Sequence, residues 1–164
     1  MIGGFSDVVG YIKKTVSVLP SGTASRFGVS PVSFIDIDRA SGARIDLELR
    51  QGKSRVFELN IQSAETEIVE LGQAVPSSYT HRIPLRIRYD ARGPAAEGSI
   101  EATAKSDQMC VIDAMHRGEW YNVSGIVHLT ADAGAISEFN FVDDGGQEYS
   151  GVISETVITV SHKL

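Results

Sequence analysis

Near the amino terminus, apolar residues recur at helical spacing: Phe5, Val8, Val9, Ile12, Val16 and Leu19 fall on one face. Lys13 and Lys14 lie opposite, Ser6 or Asp7 is placed to cap the start, and Pro20-Ser21-Gly22 ends the run. The pattern predicts a helix over Phe5–Leu19. Residues 20–31, with two prolines, two glycines and three serines, form a loop. Beyond it the period falls from 3.6 to 2, as in half-buried strands. Val32–Asp38 is the first such run. In Arg44–Arg50, Ile45, Leu47 and Leu49 alternate with Arg44, Asp46, Glu48 and Arg50. Val56–Ser63 turns Phe57, Leu59 and Ile61 inward, and the Gln51-Gly52-Lys53-Ser54 turn makes these two runs a hairpin. Glu67–Leu71 suits a strand or a helical turn.

In Thr80–Asp90, Ile83, Leu85, Ile87 and Tyr89 face a core, while Arg82, Arg86 and Arg88 face out. Pro84 cannot donate to a ladder, so this strand is expected at a sheet edge or with a bulge. Arg92-Gly93-Pro94 breaks it. Residues 100–117 form a second helix, with Ile100, Ala104, Val111, Ile112 and Met115 on its apolar face and Ser106 or Asp107 as an alternative start. Strands follow at Gly125–Thr130 and Ile136–Val142, then a turn at Asp143-Asp144-Gly145-Gly146. The closing strand, Tyr149–Ser161, is partly apolar on both faces, which suits a central position. The order predicts a single α+β domain over 1–164. Its sheet is mostly antiparallel, with the N-terminal and mid-chain helices packed on one side.

Composition narrows the class. Ile and Val number 31 against 8 Leu in 164 residues, which favours strands over a helical bundle. The single Cys110 excludes an intrachain disulfide framework. No apolar run reaches the ~18 residues of a membrane span, and no secretory signal is visible, so a soluble intracellular domain is expected. Charge is uneven. Net charge is −6, yet residues 118–162 carry seven acids and no Lys or Arg, while residues 1–117 hold 14 of each sign. Such a region repels phosphate.

No catalytic motif is present: the chain has no G-x-S-x-G, H-E-x-x-H, Walker loop or dinucleotide fingerprint. His116, Glu119 and His128 lack tight metal-ligand spacing. His116 suits a helix C-terminus and His128 an outward strand position. Asp143–Gly146 lacks the ligand alternation of a calcium loop, Cys110 is expected to be a structural thiol, and Asn122-Val123-Ser124 is a glycosylation sequon by pattern only. No enzyme activity, cofactor or metal is expected. The strongest surface feature is the row Arg82, Arg86 and Arg88, with Arg92 just beyond. Three guanidiniums on one face can pair with carboxylates or phosphates of a partner, or can guard an edge strand against aggregation. Without interleaved aromatics, that face does not suit single-stranded nucleic acid.

The order of elements resembles the tail terminator (tail completion) proteins of long-tailed bacteriophages. The likeness rests on the helix Phe5–Leu19, the hairpin Arg44–Ser63 and the arginine-studded strand Thr80–Asp90. It continues with the helix ending Ile112-Asp113-Ala114-Met115-His116, the strand opening Gly125-Ile126-Val127-His128-Leu129, and the closing Thr156-Val157-Ile158-Thr159-Val160. The resemblance implies a non-enzymatic virion part, made in the host cytoplasm and residing in the tail or neck. It would form a homo-oligomeric, hexameric ring that caps the tail tube protein, stops tube polymerisation and offers a joining surface to a neck or head–tail connector protein. DNA would pass through the ring without specific binding, and no membrane is involved. Another head–tail connector or neck completion protein is the alternative, with a small β-rich ligand-binding or enzyme domain more distant. In a head-to-tail ring two different surfaces meet. Arg82, Arg86 and Arg88 are therefore the candidate subunit interface, facing the acidic third of a neighbour or of the tube. Reversing Arg86 and Arg88 to Glu is expected to block assembly and leave the monomer folded.

Overall fold

The computed structural model describes residues 4–19, 35–36, 56–61, 64–69, 78–90, 100–123, 125–142, 145–146 and 148–163. The elements in chain order are α1 (Phe5–Ser17), β1 (Ile35–Asp36), β2 (Val56–Leu59), β3 (Glu65–Val69), β4 (Ser78–Asp90), α2 (Ile100–Arg117), a 3-10 turn (Trp120–Asn122), β5 (Ile126–Val142) and β6 (Glu148–Lys163). The fold is α+β and mostly β. One sheet runs β1-β2-β4-β6-β5, with β3 also paired to β4, and all pairings are antiparallel except β1 with β2.

α1 starts where its pattern predicts and ends at Ser17, two residues short of the predicted Leu19; Val8, Ile12 and Val16 are buried within it and Leu19 is buried just beyond. Its cap differs. Gly4 occupies the N-cap, and Asp7, three residues on, accepts the Gly4 N–H at 2.8 Å. A carboxylate there satisfies an orphan donor and faces the positive end of the helix dipole. Of the predicted strand Val32–Asp38, the described part is Ile35–Asp36. The arm Arg44–Arg50 lies outside the described residues. β2 is four residues long and fully buried, whereas Ile61, expected inward, sits in a turn at 44% exposure.

The expected edge is not one. β4 lies inside the sheet, paired with β6 along its whole length on one side and with β2 and β3 on the other. β2 and β3 run in the same direction along that side: Val56–Leu59 pairs with Arg88–Leu85, and Glu65–Val69 with Arg82–Ser78. Together they make one interrupted strand. The ladder is interrupted between Leu59 and Glu65, opposite Ile83 and Pro84. The Pro84 carbonyl accepts the Asn60 N–H at 2.8 Å. In an extended strand a residue's N–H and C=O point to the same side, so the donor Pro84 lacks would have faced this gap. The partner leaves the ladder where the proline has nothing to give.

The two strands predicted at Gly125–Thr130 and Ile136–Val142 are one 17-residue strand, β5, with irregularities between Ile126 and His128 and between Ala133 and Ile136. β6 is central, between β4 and β5. At its position 151 only glycine fits, because a Cβ would run into the Tyr89 carbonyl oxygen and lie 2.8 Å from the Phe139 ring. The core joins Ile83, Leu85, Ile87 and Tyr89 of β4, Val152, Ile158 and Val160 of β6, and the apolar stripes of both helices.

Candidate functional site: the arginine face

Strand parity turns Arg82, Arg86 and Arg88 to the face of β4 opposite the core, as their alternation with buried Ile83, Leu85 and Ile87 predicts. Both flanking strands place acids beside them. Arg86 lies in register between Glu58 of β2 and Glu155 of β6, and its Nε donates to Glu155 Oε2 at 2.9 Å. Arg88 Nη2 pairs diagonally with Glu58 Oε1 at 3.2 Å. The two pairs differ in setting. Arg86 and Glu155 keep 34% and 30% of their side chains exposed, whereas Arg88 and Glu58 keep 16% and 2%. The first pair is screened by solvent. In the second, a nearly buried carboxylate depends on its guanidinium.

Arg82 is different again. It is exposed, it stands in register with Glu65 of β3 and Thr159 of β6, and among the described residues its side chain has no ion-pair partner. It borders a shallow polar cavity of about 300 Å³ with Glu65, Thr66, Glu67 and Thr80. One of the three arginines therefore remains available to a partner, and two serve the sheet. The acids from β2 and β6 could not be assigned to this row from sequence, because the pairing register is a long-range property.

The expected histidine roles divide. His128 is exposed and meets the Trp120 ring edge-on at 6.0 Å between centroids. His116 does more than follow a helix end. The backbone N–H of Ala131 donates to its Nε2 at 3.0 Å, which occupies a donor on β5. α2 runs unbroken from Ile100, so Asp107 is not a helix start. It is fully buried and accepts the Tyr89 hydroxyl at 2.8 Å. Gln108, also fully buried, donates to the carbonyls of Gly134 (3.2 Å) and Glu155 (2.7 Å) and accepts from Lys105 Nζ at 2.9 Å. These two polar residues were missed because apolar periodicity assigns Asp and Gln to the outside. Their signal was positional, since Ala104, Val111 and Met115 place both on the inward side of the helix. Cys110 is buried, as a structural thiol should be.

Elsewhere, a cleft of about 460 Å³ opens between the start of α2 and the β5–β6 tip, bordered by Glu101, Glu138 and Asn140. Among the described residues, no group of three or more His, Cys, Asp or Glu comes together as a metal site, and no helix is long and apolar enough to cross a membrane. Compared with known proteins, the sequence matches no family model and no curated relative.

Proposed function

We propose that this chain is a tail terminator of a long-tailed bacteriophage, assembling as a hexameric ring that caps the tail tube and presents a joining surface to a neck protein. The observation that carries the reading is the order of elements: an N-terminal helix, a sheet containing the arginine strand, a mid-chain helix, and two long antiparallel strands ending at Lys163. The sheet also carries opposite charges on different strands: exposed Arg82 on the interior strand β4, and exposed Asp132 and Glu138 on β5 at the end of the strand order. A head-to-tail ring brings unlike surfaces together, and opposite charges there favour the right pairing over wrong ones.

The interface expectation is accordingly revised toward Arg82, since Arg86 and Arg88 are engaged within the chain. The test is electron microscopy of the purified protein with and without tail tubes. Six-membered rings seated on tube ends, with tube growth arrested, are expected. A monomer that never attaches to a tube overturns the reading. Binding to duplex DNA should be weak and salt-sensitive, in keeping with a net charge of −6. Sub-micromolar affinity at physiological salt would contradict passage of DNA through the ring.

A further inference from the structure

Where the start of α1 meets the sheet, two histidines lie under an aromatic lid. His81 of β4 is 8% exposed and His162 of β6 is 3% exposed, with ring centroids 6.0 Å apart. The register pairs His162 with Tyr79 and His81 with Val160, so the two imidazoles are diagonal neighbours on the core side. Phe5, in the first turn of α1, covers His81 at 4.6 Å between ring centroids, and the Tyr79 ring stacks beside it at 6.2 Å. His81 Nδ1 shares a hydrogen bond with Thr66 Oγ1 of β3 at 3.0 Å, while its buried Nε2 has no hydrogen-bond partner among the described residues.

We infer that Phe5, His81 and His162 form an acid-sensitive latch that holds the first turn of α1 on the sheet and releases it as pH falls. The imidazole is tolerated while neutral. Adding a proton creates a cation between an apolar ring and a second buried histidine, and among the described residues no carboxylate is placed to receive it. The charged and titratable groups of the surrounding elements bear this out. On α1, Asp7 is exposed and held by the Gly4 N–H. On β3, Glu65 and Glu67 alternate with Thr66 and so occupy the other face, as Arg82 does on β4 and Lys163 on β6. Among the described residues that leaves Tyr79 and His162 on the His81 side. Burial first, and the His162 charge second, push the His81 imidazole below its ordinary 6.5.

The sign follows from linkage. With its folded value depressed, His81 takes up its proton more readily when the turn is open. The latch is therefore fully closed above pH 6.5 and weakens as pH falls from there toward the depressed folded value. Within that window each pH unit favours opening by up to about tenfold.

The test is hydrogen exchange of the amides of Val9–Ile12, whose acceptors are the carbonyls of Phe5–Val8. Corrected for intrinsic rates, their protection should fall several-fold between pH 7 and pH 5 in the wild-type chain, while β6 amides keep theirs. His81→Phe retains a ring under Phe5 and should abolish the pH dependence. His162→Gln removes the repelling neighbour and should move the onset of His81 protonation, followed by NMR of its ring carbons, to higher pH. Unchanged α1 protection across this range, or equal loss in His81→Phe, overturns the latch. Should His81→Phe not fold, the wild-type NMR titration decides alone, and a His81 value at or above 6.5 refutes the proposal.

Discussion

β4 and β5 are two long strands of one sheet, separated by β6, and they solve opposite problems. β4 has a partner on each side and must accommodate a residue that cannot donate. β5 is hydrogen-bonded to β6 alone among the described strands, and must keep its outer margin from recruiting the wrong one. β4 tolerates Pro84 because the ladder with its neighbour is interrupted between Leu59 and Glu65. β5 is guarded from within the chain: His116 takes the Ala131 N–H, and two irregularities interrupt a flat ladder, the second bridged on its β6 side by Gln108. A proline therefore does not by itself mark an edge, and an edge is not recognised by its own sequence alone. In both strands the decisive groups belong to another element.

The contrast can be broken most severely at β4. Arg88→Ala leaves Glu58 charged and 2% exposed without its guanidinium, and should cost about 3–5 kcal/mol in a urea titration. The double reversal of Arg86 and Arg88 to Glu should therefore unfold the monomer instead of acting on assembly alone. If circular dichroism showed that variant native, the Glu58 pair would be expendable.

On the β5 side, Gln108→Ala withdraws a donor shared by the Gly134 and Glu155 carbonyls and leaves space in a closed core. A loss of about 2–4 kcal/mol is expected, read by thermal melting. Gly134 should feel it most, because a Cβ there would already lie 2.8 Å from the Glu155 carbonyl oxygen.

His116→Ala tests the guard itself. Stability should drop only about 1 kcal/mol, since the site is exposed. The Ala131 amide, however, should exchange markedly faster, and the protein should aggregate sooner at high concentration. Slow exchange of that amide in the variant would mean that something else covers the margin.

The smallest effect on folding and the sharpest on assembly should come from Asp132→Lys. It is exposed, so stability should change by less than about 0.5 kcal/mol. If this margin meets Arg82 of a neighbour, rings should fail to form, and Arg82→Glu combined with Asp132→Lys should restore them. Normal rings from both single variants would place the contact elsewhere.

What could be read from sequence follows the range of the interaction. α1, α2 and the parity of β4 and β6 were legible because each depends on a period within one segment. Phe5, Val8 and Ile12 define their face without knowing what covers it. The fate of Arg86 and Arg88 was not legible. Glu58 lies 30 residues before Arg88, and Glu155 lies 69 after Arg86, so only the sheet register joins them. The continuity of β5 was hidden for a related reason. The small-residue stretch Ala131–Ala135 looks like a break until Gln108 is seen holding it. The His81–His162 pair went unnoticed because its members are 81 positions apart.

The gap opposite Pro84 also has a consequence for how this chain can vary in length. Most of the sheet cannot gain or lose a residue, because a shift of one turns every side chain beyond it to the wrong face. In β6 such a slip would carry Gly151 away from a place that admits no Cβ. The interruption between β2 and β3 escapes this constraint. β2 and β3 both pair with the same side of β4, and β3 is held by its own five pairs. Insertions or deletions between β2 and β3 can be absorbed there without disturbing the register on either side. Among related sequences, that is where differences in length between the two helices should collect, and it is a practical place to splice a tag or a fluorescent reporter into the folded chain.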